Sequence, residues 1–220
     1  MKNKVFYRGV VLNICVCIVL LTAFSYLLIQ CYCNSKTPHR TTPYSRKTLC
    51  EEEYIEDLKL LESQNFNNLD DRKKLHCLQT LVDIESNKAG LPYYVKVKIG
   101  DLPETIAGRY SDKDESIIID RKAFHSYSSR ELVKITYHEW HHHLTHILSD
   151  AYKSLPKIYS NLEAFSQYRI YAFEYDNYIS ANQDDDLYYL QSVESDARRY
   201  AELQTDGLFK YLNKLNENNN

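Results

Sequence analysis

Apolar residues fall into three regimes along the chain. Residues 10–29 are mostly Val, Ile, Leu, Cys and Phe, and no charge occurs from position 9 to position 33. At about 1.5 Å rise per residue, about twenty such residues cover the roughly 30 Å hydrocarbon layer, so a membrane-spanning helix is predicted. The second regime is helical. Tyr54, Leu58 and Leu61 are spaced for a helix over 51–64, and Leu75, Leu78, Leu81 and Val82 for one starting near Leu69-Asp70-Asp71. The third has a period of two: residues 94–99 alternate, 105–110 form a short run bearing Gly108, and 116–120 carry three consecutive isoleucines. These predict three strands in an antiparallel sheet. Helical spacing then resumes over 129–148, 155–180 and 187–215, the first of these preceded by a capping box, Ser128-x-x-Glu131. No internal repeat is visible.

Residues 1–8 read as a short basic tail, 9–33 as the span and 34–47, polar with Pro38 and Pro43, as a linker. The folded domain is placed at 48–214, followed by a polar tail at 215–220. Lys2, Lys4 and Arg8 would suit a secretory signal, but the apolar run is too long and no Ala-x-Ala site follows, so the expectation is an uncleaved anchor. Basic residues flank the span on both sides, Lys36, Arg40, Arg46 and Lys47 on the far one, so the positive-inside count leaves orientation open. A very short N-terminal tail favours an extracytoplasmic body.

Composition narrows this further. Gly 5 and Pro 5 disfavour a turn-rich all-β fold and favour long helices. Lys+Arg 27 against Asp+Glu 30 leaves a net charge of −3, without the electrostatic signature of a nucleic-acid binder. Six cysteines do not make a disulfide scaffold. Cys15, Cys17, Cys31 and Cys33 lie in or beside the span as apolar side chains; whether Cys50 pairs with Cys77 stays open.

The chemistry lies in Tyr137-His138-Glu139-Trp140-His141-His142. On a helix, His138 and His142 at i and i+4 project from one face and can bind one Zn²⁺. Glu139, rotated by about 100° from the first ligand, can take a proton from a water on that ion. The plain alternative is a solvated His-rich face, since His141, His143 and His146 cluster there too. A third protein ligand must come from elsewhere. His146 lies about 12 Å along the axis from His138, too far to share an ion, and position 148, where a metzincin needs histidine, is Leu148. In the last helix Glu194, Ala197 and Ala201 share a face whose small alanines admit a neighbouring helix. Glu194 is therefore the candidate third ligand, with Asp196 as alternative ligand or as a carboxylate orienting an imidazole. An ion pair of Glu194 with Arg198 is the bland reading. Tyr200 is a candidate donor to a developing oxyanion, or a packing residue. The aromatic stretch 155–180 could line a peptide groove, although such stripes are usually core. Asp184-Asp185-Asp186 reads as a solvated acidic run ahead of a helix rather than as a calcium loop.

This motif, with Glu194-x-x-Ala197-x-x-Tyr200-Ala201 downstream, resembles the gluzincin metallopeptidases and, more closely, the ImmA/IrrE-like group, over residues 91–208. The resemblance implies an α+β, mainly helical zincin-like domain with a small sheet of about three strands, here preceded by a transmembrane helix. It implies a zinc-dependent peptidase with His138, His142 and Glu194 as ligands and Glu139 as general base. Partners would be a protein or peptide substrate, lying along an edge strand at 116–120 or 105–110, and the membrane. The 52-residue separation of His142 from Glu194 and the anchor both depart from the compact cytosolic members. A non-catalytic metal-binding membrane sensor and a zincin-shaped interaction module are the rival readings.

Overall fold

The computed structural model describes residues 51–91 and 95–217. Three helices open it, α1 (Glu51–Lys59), α2 (Ser63–Phe66) and α3 (Asp71–Lys88), followed by strands β1 (Lys96–Gly100), β2 (Gly108–Ser111) and β3 (Ser116–Asp120). The rest is helical: α4 (Arg121–Ser126), α5 (Ser129–Lys153), α6 (Lys157–Ser160), a 3₁₀ turn at Glu163–Phe165, α7 (Ser166–Asp176), α8 (Asp185–Leu190) and α9 (Ser192–Glu217). This is a mainly helical α+β domain with a three-stranded mixed sheet.

The expected antiparallel sheet is corrected. The strand order is β1-β3-β2, with β3 parallel to β1 and antiparallel to β2. The isoleucine run, expected as a possible edge strand for a peptide, is instead the inner strand. Ser116, Ile117, Ile119 and Asp120 are buried, whereas β1 and β2 each keep exposed positions. A continuous apolar strand belongs where both edges and both faces are covered. Strand 116–120 therefore has no open edge for a peptide, and β2 becomes the candidate edge.

Helix α5 is the hub, packed against α9, α7, α3 and the sheet. The capping box is formed: the Ser128 hydroxyl accepts from the Glu131 N–H while Glu131 accepts from the Ser128 N–H. Leu132 and Val133 are fully buried, and Trp140 donates its indole N–H to the Ser86 hydroxyl on α3 at 3.1 Å. Burying each such large apolar side chain is worth about 1.5–3 kcal/mol. On α9, Ala197 and Ala201 are buried against this hub, which brings the first turn of α9 close to α5.

Two long predicted helices are broken, and each break matters. The span 155–180 divides at the turn that folds Phe165 into the core. The span 187–215 divides at Gln191, whose backbone is extended (φ −57°, ψ 137°). The Gln191 amide is held by Ile179, accepting its N–H at 2.9 Å and donating to its carbonyl at 2.8 Å. The predicted 51–64 helix likewise breaks after Lys59. Cys77 is a buried free thiol, its pKa pushed up to about 11 by burial, and Cys50 lies outside the described residues. So does the predicted span; among the described residues no helix is long and apolar enough to cross a membrane.

Candidate metal centre

Two imidazoles from the middle of α5 meet one carboxylate from the first turn of α9. His138 Nε2 and His142 Nε2 lie 3.1 Å apart, as the i, i+4 spacing requires. Glu194 closes the triangle, with Oε2 3.4 Å from His138 Nε2 and Oε1 3.3 Å from His142 Nε2. An ion held tetrahedrally at about 2.0–2.2 Å keeps its ligands roughly 3.3–3.5 Å apart, so the triangle has the size such an ion needs. Glu194 is 1% exposed and its Oε2 has no hydrogen-bond partner. A buried carboxylate oxygen without a hydrogen bond, set against an imidazole nitrogen, is costly unless a cation completes it. His138, His142 and Glu194 could thus hold a metal ion.

The electrostatics follow from that convergence. Burial alone would raise the Glu194 pKa, but His138, His142 and Tyr178 outweigh it and hold the carboxyl well below the usual range. Burial draws the His142 pKa down, and its contact with Glu194 reverses this to a net rise. Around them, His141, His143 and His146 are pushed down to about 4, chiefly by burial, and stay neutral near pH 7. The His-rich face is therefore largely packed rather than solvated.

Several side chains fix the ligands. The Tyr178 hydroxyl donates to Glu194 Oε1 at 2.6 Å. The Tyr175 hydroxyl lies 2.6 Å from the Thr145 hydroxyl and 3.4 Å from His142 Nδ1. Glu174, at the end of α7, accepts the N–H groups of Ser192 and Val193 at 2.8 and 2.9 Å. It thereby caps the helix that delivers Glu194. Arg198 approaches Glu194 only to 4.0 Å and lies over the Tyr189 ring, and Glu194 is buried, so the bland alternative of a surface ion pair does not describe this carboxylate.

Glu139 sits beside the triad, 7% exposed, with Oε2 accepting the Tyr110 N–H at 2.7 Å. The Ala107 carbonyl accepts from the Asp120 N–H, so by antiparallel alternation Gly108 and Tyr110 turn their backbone groups away from β3. The edge of β2 away from β3 faces the motif helix. Gly108 permits that approach: a Cβ there would lie 2.3 Å from Ile135 Cγ2 and 3.3 Å from Glu139 Cγ.

Two candidates stand elsewhere. Asp196 accepts from Tyr171 at 2.7 Å, Gln167 at 3.2 Å and Arg199 at 2.9 Å, outside the triad. Tyr200 stacks on Trp140 and donates to buried Glu85, so its hydroxyl is committed to the α3 side of the core. Tyr178, by contrast, touches the triad through Glu194. Sequence reasoning had placed Tyr178 and Tyr175 in an aromatic stripe without distinguishing them, and it missed Glu174.

No family model, curated protein or solved structure matches the chain.

Proposed function

We propose that the chain is a membrane-anchored zinc metallopeptidase of gluzincin type, related in plan to the ImmA/IrrE-like group. The observation that carries this reading is the convergence of His138, His142 and the unpaired buried oxygen of Glu194 beside the carboxylate of Glu139. Two imidazoles and one carboxylate are the ligand set of a catalytic zinc that keeps an open position. Bound there, zinc would supply Lewis acidity and make water nucleophilic near neutral pH.

The chain's own groups divide the remaining work. Glu139 accepts the proton from the attacking water and passes it to the leaving amine. The Tyr110 N–H holds the Glu139 carboxylate at rest. An extended peptide lies beside β2 across the mouth of the site. Tyr178 steadies Glu194 through its hydroxyl.

Glu139→Gln separates catalysis from metal binding. The variant should keep its zinc and lose peptidase activity by about 10²–10⁴-fold, the usual contribution of a general base. Undiminished hydrolysis by this variant would overturn the reading. Zinc binding by the wild type without hydrolysis of any peptide would favour the sensor instead.

A further inference from the structure

We propose that an apolar collar on α7 and α8 rests on a lipid bilayer, which places the mouth of the metal centre at the membrane surface. Among the described residues, most of the exposed large apolar side chains fall between 158 and 190. Phe173 is 67% exposed and Leu190 is 72% exposed, with Ile170 and Leu187 beside them in sequence. Ile170 and Phe173, three apart on α7, share a helix face. Glu174, next to Phe173, binds the N–H groups of Ser192 and Val193 just past Leu190, so the end of α7 meets the start of α9 beside α8. Exposed apolar side chains concentrated in one stretch of the chain point to an interaction site.

The occupant is argued from the same chain. Residues 9–33 carry no charge and match a bilayer in length. A folded body tethered to such a span stays close to lipid. The intervening residues 34–50 extend at most about 60 Å at roughly 3.5 Å each, enough to let any face of the domain turn to the membrane. Tyr178 joins collar to site: its ring is 40% exposed while its hydroxyl holds Glu194. Asp184, Asp185 and Asp186 adjoin the collar, so the lipid it fits is zwitterionic rather than anionic. Peptide bonds within reach would then be those of segments emerging from the bilayer. The inference rests on the span at 9–33 and on the collar, and holds whether or not the metal centre turns over peptide.

The test uses the full chain in phosphatidylcholine vesicles, with and without brominated acyl chains, and three variants: Phe173→Trp, Leu190→Trp and Leu203→Trp. All three positions are solvent-facing, and Leu203 lies on α9 about half a helical turn from Glu194 in rotation. Native Trp140 is 2% exposed and gives a common background. Emission from 173 and 190 should fall about twofold on brominated lipid, as side chains buried a few ångströms below the headgroups do, and emission from 203 should not change. Chain that floats with the vesicles yet shows no quenching at 173 and 190 would overturn the collar and leave a second copy or a peptide as its cover. Chain that fails to float would overturn the proposal at the anchor. Zinc content and hydrolysis, measured on the same vesicles, report separately on the metallopeptidase.

Discussion

His146 lies one helical turn past His142, its ring 3.7 Å from that of Tyr175, and burial brings its pKa from 6.5 down to about 4. Asp112 and Asp150 pull that pKa upward, and His142 and Lys153 pull it down. The unfolded chain therefore binds the extra proton first as pH falls. The stability His146 contributes is fully present above about 6.5 and is lost as pH drops toward 4, at up to about 1.4 kcal/mol per pH unit. His146→Phe keeps an aromatic ring against Tyr175 and should flatten this part of the curve by one proton's worth; denaturant unfolding between pH 4 and 7 reads it. An unchanged slope would mean that His146 titrates normally. At this scale the pairing of His138 with His142 was legible because i, i+4 geometry is local. The contact of Tyr178 with Glu194 was not, because it depends on where two helices break.

Gly108 and Glu174 act through elements. A methyl group at Gly108 would meet Ile135 Cγ2, so Gly108→Ala should cost about 1–3 kcal/mol and push β2 away from α5. Adding Ile135→Ala removes the clashing carbon, and the double variant should recover part of that loss in denaturant unfolding. Simple additivity of the two costs would contradict the close approach. Glu174→Ala strips the cap from α9, which should cost about 1 kcal/mol and, by loosening the turn that carries Glu194, weaken zinc about 10–100-fold. Zinc titration beside thermal unfolding of the metal-free protein separates the two effects, and an unchanged affinity would make Glu174 a stability residue alone. Helices with strong local signals were readable: the capping box at Ser128 and the Asp70 cap of α3 both formed. The break at Gln191 was hidden because its side chain is held by the backbone of Ile179, and that at Phe165 because it depends on where the ring finds burial.

At the scale of the whole molecule, a fold centred on α5 lets one helix carry two of the candidate ligands while a second, capped by a third, brings the last. The helix-rich α+β class could be read from periodicity and the low glycine and proline content. The mixed sheet could not, because strand order depends on which edges the helices cover. A site of this kind couples binding to stability: zinc at about a hundredfold above its dissociation constant should stabilise the domain by roughly 2.7 kcal/mol, seen as a higher Tm that chelation reverses. The most direct measurement is zinc content by elemental analysis of the wild type and of His142→Ala, Glu194→Ala and Asp196→Ala. The expected result is stoichiometric zinc in the wild type and in Asp196→Ala, and none in the other two. Zinc retained by Glu194→Ala, or a wild type that takes up none when zinc is supplied, would contradict the His138, His142 and Glu194 site.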